Sequence, residues 1–343
     1  MQTSKIKTLL ILKYLKKYSD EDNPLSTTSL IELLNNDGVS CERKSIYADI
    51  KALNEIGCNV ISVTSPKRGF YLASRDFEEA EIRLLIDAVN SAGFITPGKS
   101  ESLINKLKSQ LSDNQAGKIT SQVFCESVNK CDNEDIYVII DKLDEAIHKK
   151  EKVKFQYKTR NIDKQNKKSY TTKTFVVSPY ALIWKNDRYY LVCNKESHDN
   201  LMNLRIDRIR KIEILKCPSR KVSECSEYND VFDVADYSSK MFNMFSGAVD
   251  NVKLVCELDL REAILDRFGA KIALNAVDIN HFETEVSAAV SDGFVSWLMQ
   301  FGDRIKVVSP DYLVKAVEDK AKAIFSVYQP VSYTHLTLPT IRL

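Results

Sequence analysis

The chain has 343 residues, enough for two or three domains. Its 44% hydrophobic and 28% charged residues, with only 10 Gly and 8 Cys, exclude a disordered chain, a collagen-like repeat and a disulfide scaffold. The net charge of +2 hides a block at residues 148–222 where 20 Lys and Arg face 7 Asp and Glu. Such an excess suggests an anionic partner, phosphate or nucleic acid. A solvated lysine-rich surface is the competing reading, and it suits the loop at 164–168. The cysteines form no C-x-x-C pair and the four histidines are isolated, so no metal and no cofactor are expected. No apolar run approaches the ~18–20 residues of a membrane span, and no signal-peptide core opens the chain. A cytoplasmic protein without membrane contact is expected.

Residues 5–18 form a helix whose apolar stripe is read as Ile6, Leu9, Leu10, Leu12 and Leu15. Ser26 or Thr27 caps a second helix with Leu30, Leu33 and Leu34 inward, and Gly38 ends it. A third helix is predicted from Ser40 to about Ile56. Its inward face is Ile46, Ile50 and Leu53, and its outer face carries Arg43, Lys44, Tyr47, Lys51 and Asn54. Residues 59–63 and 70–72 then form a hairpin with Lys67 and Arg68 at its tip. Three helices and a hairpin in this order are the plan of a winged helix-turn-helix over residues 1–75. The third helix would enter a DNA major groove and the hairpin would touch backbone or minor groove. Ser40, Arg43, Lys44, Tyr47, Lys51, Lys67 and Arg68 are the candidate DNA-binding residues, with Arg and Lys suited to guanine edges and phosphates. A helical protein–protein module with a charged face is the bland alternative.

Residues 76–134 read as a helical linker, with helices from Phe77 and through Leu103, Ile104, Leu107 and Leu111. Another helix at about 135–150 leads into a region of short strands at 153–157, 172–178, 180–184, 189–194, 202–205 and 211–215. So many short strands within residues 135–220 suggest a small barrel. Residues 225–247 read as a helical, acidic connector in which Met241, Phe242, Met244 and Phe245 cluster. The last region, within 221–330, alternates strand and helix as β-α-β-β-α-β-α, with Trp297 in its core. The residues after Tyr328 break the helical ending, and 331–343 are expected to be an artefactual tail.

The strings Ser178-Pro-Tyr-Ala-Leu-Ile-Trp184, Arg188-Tyr-Tyr-Leu-Val192 and Leu204-Arg-Ile-Asp-Arg-Ile209 resemble the WYL domain of bacterial transcription regulators. The family's Trp-Tyr-Leu falls on Tyr189, Tyr190 and Leu191, with Tyr for Trp. The resemblance spans about residues 4–328 and implies an α+β multidomain fold: a winged helix-turn-helix, a helical linker, an Sm/SH3-like barrel and a ferredoxin-like C-terminal module called WCX. Gly293, Trp297, Phe301, Gly302, Ser309 and Pro310 match that module. One departure is Ala48 before Asp49, where related sequences often have Arg.

The resemblance further implies a barrel that senses a nucleotide or single-stranded nucleic acid. Arg205 and Arg208 can fork onto phosphate oxygens. Tyr180 and Tyr190 offer hydroxyls and faces for stacking a base, Ser178 a hydroxyl, and Arg188 stands at the start of the Tyr-Tyr-Leu strand. These six are the candidate ligand residues. Tyr189, Leu191, Val192, Ile206 and Ile209 read as core, and Asp207 can pair with one of its arginine neighbours. The expected function is a ligand-responsive, homodimeric regulator binding double-stranded operator DNA, and not an enzyme. A constitutive nucleic-acid-binding adaptor and a nucleic-acid-processing enzyme are the alternatives. The enzyme would need a carboxylate cluster or nucleophile with its base, and Asp163, Asp187 and Asp207 are dispersed singly.

Overall fold

The computed structural model describes residues 2–119, 130–162, 168–229 and 232–329. The chain divides into two compact units, Met1–Ile136 and Tyr137–Leu343.

The first unit begins with α1 (Gln2–Tyr18), α2 (Thr27–Asn36) and α3 (Arg43–Glu55). An antiparallel hairpin of β1 (Val60–Val63) and β2 (Gly69–Leu72) follows. Ser26 caps α2, its Oγ accepting from the Ser29 amide at 3.0 Å. Gly38, at φ +76°, supplies the left-handed turn that ends it. Ile11, Leu15, Leu30, Leu34, Ile46, Leu53 and Phe70 close a common core. The expected stripe on α1 is rotated. Ile6 and Leu9 are 52% and 66% exposed, and the inward positions are Lys7, Ile11, Tyr14 and Leu15. The cause is the partner helix: α3 points a carboxylate, Asp49, at α1 and draws the lysine inward. The third helix also starts later than expected. Glu42 is still extended (φ −91°, ψ 153°) at the cap position, so Ser40 lies exposed in the connection before α3.

Three helices complete this unit: α4 (Glu79–Ser91), α5 (Pro97–Lys108) and α6 (Asp113–Lys118). A reciprocal capping box between Glu78 and Glu81 opens α4, leaving Phe77 outside the helix. Thr96 caps α5 with Pro97 in its first turn. The short α6 escapes a periodicity reading because six residues span less than two turns.

The second unit opens with α7 (Ile136–Lys149) and a five-stranded antiparallel sheet. Its strands are β3 (Glu151–Ile162), β4 (Lys168–Lys185), β5 (Arg188–Asn194), β6 (Met202–Arg205) and β7 (Ile209–Pro218), in the order β6-β5-β4-β3-β7. The strands expected at 172–178 and 180–184 are one. β4 pairs with β3 through Val177 and with β5 from Ser178 onward, and its register shifts between Pro179 and Ala181. Proline has no N–H to give a ladder, so an irregularity there bends the strand without ending it.

The connector is mostly irregular, not helical. Only α8 (Val234–Lys240) is regular, and Asn243 and Met244 turn through positive φ. Met241, Phe242 and Met244 are buried, but Phe245 is exposed. Then come β8 (Ala248–Glu257), α9 (Arg261–Phe268), β9 (Asn275–Ala276), β10 (His281–Val290), α10 (Asp292–Met299), β11 (Ile305–Ser309) and α11 (Asp311–Tyr328). The sheet order β11-β8-β10-β9 interleaves two β-α-β units, with every neighbour antiparallel. Trp297 packs against the rings of Phe242, Phe268 and Phe301 at 5.2, 5.5 and 5.0 Å. The segment 331–343 lies outside the described residues.

Candidate functional site

The outer face of α3 presents Arg43, Lys44, Tyr47 and Lys51 to solvent, and Lys67 and Arg68 are exposed at the hairpin tip. The other side of the helix is fixed by charge. Lys7 Nζ lies 2.8 Å from Asp49 Oδ2, with both side chains only 10% exposed. Thr8 Oγ1 donates to the other Asp49 oxygen at 2.6 Å, and Lys7 also donates to Ser45 Oγ. Asn54, read from the sequence as part of the outer face, exchanges two hydrogen bonds with the Val60 backbone and ties the helix to the hairpin. Tyr47 has a double role. Its ring meets Phe70 edge-on at 5.5 Å, while hydrogen bonds with Thr27 and then Arg43 lower its pKa. Gly69 is required where it stands: a Cβ there would lie 2.6 Å from the Leu25 carbonyl oxygen, because Leu25 and Phe70 pair backbone to backbone.

The six residues expected to form one ligand site fall in two places. Arg188 and Arg205 meet at Asp207, with Tyr190 paired across the strands to Arg205 and Arg208 interacting with Tyr157. Arg205 makes a two-pronged contact with that carboxylate, Nε at 3.0 Å and Nη2 at 2.6 Å, and Arg188 stands 3.9 Å away. Tyr190 is the cross-strand neighbour of Arg205. Two members were missed in the sequence. Tyr157 accepts from the Arg205 amide at 3.2 Å, and burial raises its pKa against the opposing pull of Arg208. Arg210 donates to the Asp207 carbonyl at 2.6 Å. The signal available for Arg210 was its spacing from Arg205 and Arg208; Tyr157 had none.

Ser178 and Tyr180 are elsewhere. Ser178 is buried and accepts from the Arg220 amide at 2.9 Å. The Tyr180 hydroxyl donates to the Arg220 carbonyl at 2.9 Å and lies 3.3 Å from Cys225 Sγ. Burial first, then Cys225, pushes its pKa up. Register explains the separation. Ser178 pairs with Asn194 at one end of β5, and Arg188 pairs with Lys185 at the other. Six residues of strand at ~3.3 Å each put ~20 Å between those ends.

The WYL domain family model matches residues 138–214, and the WCX domain model matches residues 249–325. The chain is a WYL- and WCX-domain protein. Among solved structures it is similar to proteasome accessory factor B/C of Arthrobacter aurescens, at 14% identity and a TM-score of 0.27 over 94% of this chain and 49% of that one. The chain thus spans about half the length of that protein. It is also similar to a CRISPR Cas-related protein, at 14% identity and a TM-score of 0.34 over 94% of this chain and 84% of that one. Scores this low carry no argument about fold or function. No curated protein matches the chain. Among the described residues no group of three His, Cys, Asp or Glu could hold a metal ion, and no helix is long and apolar enough to cross a membrane.

The turn between β4 and β5 ties the WYL domain to the WCX domain. Lys185 donates to the carbonyls of Ser238 and Met241 at the end of α8. Arg267 of α9 takes the Ser239 and Met241 carbonyls and lies over the Phe242 ring at 3.9 Å. Burial, then the charge of Arg267, lowers the Lys185 pKa from 10.5 to about 8. The unfolded chain therefore binds more protons between those values, so unfolding free energy rises with pH from about 8 to 10.5 and has no slope from this group below about 8. The expected result is that wild type gains stability relative to Lys185→Met across that window in urea melts. A difference that stays flat with pH would refute the buried lysine as the titrating group.

Proposed function

We propose that this WYL- and WCX-domain chain is a ligand-responsive transcription regulator that works as a homodimer. In this reading α1–α3 and the β1–β2 hairpin are a winged helix that binds double-stranded operator DNA. Arg43, Lys44, Tyr47 and Lys51 face the major groove, and Lys67 and Arg68 touch backbone or minor groove. The bent five-stranded sheet is the Sm/SH3-like barrel, and the four-stranded module is ferredoxin-like. Arg188, Tyr190, Arg205 and Arg208 receive a nucleotide or single-stranded nucleic acid. The observation that carries the DNA half is the division of α3: its inner face is locked by Asp49, Ile50 and Leu53, and its outer face exposes Arg43, Lys44 and Lys51.

The test selects a bound sequence from a random duplex pool, then measures its affinity against salt. Each lost phosphate contact lowers the log–log salt slope by ~0.9, so Lys44→Ala with Arg68→Ala should flatten it by nearly two units. Tyr47→Phe should retain the fold, since its ring stays on Phe70. An unchanged slope and affinity in the double variant would remove this surface from the interface. Light scattering should give twice the chain mass of 39.1 kDa.

A second reading, an adaptor that binds nucleic acid without switching, is favoured by Asp207, which already fills the Arg205 fork. Single-stranded oligonucleotides and cyclic dinucleotides added to the operator complex decide between them. Switching requires unequal binding to the two conformations. In a regulator, effector shifts operator affinity in wild type, and Arg208→Ala weakens effector binding about ten- to a hundredfold. In an adaptor, no effector shifts it.

A further inference from the structure

We propose that the seam between the WYL and WCX domains holds a binding site for a small, uncharged, apolar ring molecule. The site is a cavity of about 220 Å³. Its walls are Leu201 of the WYL domain, Tyr228, Tyr237 and Met241 of the connector, and Val249 of the WCX domain. The proposal rests neither on operator binding nor on an effector at the arginines.

The residues explain why space is left there. Ser226, Ser246, Gly247 and Ala248 form one side, and all are small. Gly247 admits no side chain, because a Cβ would run into the Val290 carbonyl of β10. On the other side Tyr237 and Met241 are buried, and the Tyr228 ring meets the Tyr237 ring at 6.4 Å. The gap thus lies between a pinned backbone and fixed side chains, and close-packed neighbours do not flow into it. It is reachable from solvent: Glu227, Ser246 and Ala248, which border it, are exposed.

The walls define the ligand through what their polar groups already do. The Tyr228 hydroxyl donates to Asp236 at 2.6 Å and the Tyr237 hydroxyl to Asn203 at 3.1 Å. Ser226 Oγ donates to the Val222 carbonyl at 2.7 Å, and Ser246 Oγ accepts from Asn203 at 3.3 Å. These hydroxyls serve protein partners, which leaves ring faces, a thioether and aliphatic carbons for a guest. A bound water needs about two to four polar partners, so such walls favour an apolar molecule. Charge sharpens the choice. None of the lining residues is Lys or Arg, and the carboxylate among them, Glu227, is paired with Lys240 at 3.0 Å. Lys240 is shared with Asp236 at 2.7 Å. An entering anion would give up water and find no cation on the walls. This chemistry is the reverse of the arginine cluster. Size sets the rest: an apolar cavity of ~150 Å³ takes benzene, so one of about 220 Å³ suits a substituted ring. The tyrosine rings and the Met241 sulfur give such a guest edge and face contacts.

The test titrates toluene and benzoate, near-equal in shape but not in charge, into the full chain and follows methionine methyl signals by NMR. Met241 lines the cavity, and Met299 of α10 is not among its lining residues and serves as the reference. Toluene is expected to shift the Met241 methyl saturably, to leave Met299 in place, and to bind about tenfold more tightly than benzoate. Because the walls come from both domains, it should slow amide exchange around Leu201 and around Val249 together. Ala248→Phe puts a ring at the opening and should weaken toluene about tenfold; the position is exposed, so the fold is retained. Glu227→Gln removes the charge at the opening and should strengthen benzoate about threefold. The proposal is overturned if the Met241 methyl does not move up to about 3 mM toluene, within the millimolar range of weak specific binding. It is also overturned if Met299 shifts equally, or if Ala248→Phe changes nothing. Equal affinity for toluene and benzoate overturns the uncharged class, and slowed exchange in one domain alone overturns the seam.

Discussion

Asp49→Ala is expected to destabilise the first unit by about 3–5 kcal/mol, the cost of leaving a buried charge without its partner. The alanine removes the only carboxylate that Lys7 contacts among the described residues, with the Lys7 side chain 10% exposed, and it also removes the oxygen to which the Thr8 hydroxyl donates. The pair need not be stabilising for this to hold. Replacing both groups by apolar residues of similar volume, Lys7→Met with Asp49→Leu, should recover most of the loss. A chain of two units is not expected to melt in one step, so the measurement is amide hydrogen exchange in α1 and α3 rather than a global melting temperature. Protection that survives in Asp49→Ala would mean the lysine finds water. Protection lost in the double variant as well would mean that packing of the substitutes, not charge, decides. Because Asp49 is on the inner face of α3, the single variant should also lose operator affinity without touching any outward cation.

Phe294→Ala is expected to cost the C-terminal module about 3–5 kcal/mol, as large-to-small substitutions in closed cores do. Phe294 is 0% exposed, its ring centroid lies 4.6 Å from that of Phe242, and Leu254, Ile264 and Val286 belong to the same core. Phe245→Ala is the contrast. Phe245 is 53% exposed, so its loss should stay within about 0.5 kcal/mol. Urea melts followed by the fluorescence of Trp297, which packs on Phe294, read the difference. Similar losses in the two variants would mean that Phe245 is covered in solution.

These contrasts show where sequence reading works. The periodicity of Ile46, Ile50 and Leu53 finds α3 and its inner face, because apolar spacing along a helix is a local property. The strand and helix order of residues 248–328 is legible for the same reason: each element carries its own pattern and its own stop. Phe242 and Phe245 illustrate the limit. They look alike in sequence, but Asn243 and Met244 pass through positive φ, and only one ring reaches the core. The sequence reading starts the third helix at Ser40, but the helix waits for Arg43.

By itself the sequence determined most of the longer helices and strands, the excess of positive charge at 148–222, and the WYL and WCX strings; all are matters of neighbouring residues. Tertiary structure decided the rest. The inward turn of Lys7 depends on a carboxylate 42 positions along the chain, so no pattern within α1 could announce it. The division of Ser178 and Tyr180 from the arginines depends on register. β4 changes partner at Ser178 and shifts past Pro179, so strings adjacent in sequence end at opposite ends of β5. Side chains meet through pairing between distant strands, and that pairing is set by the packing of the whole sheet rather than by either strand alone.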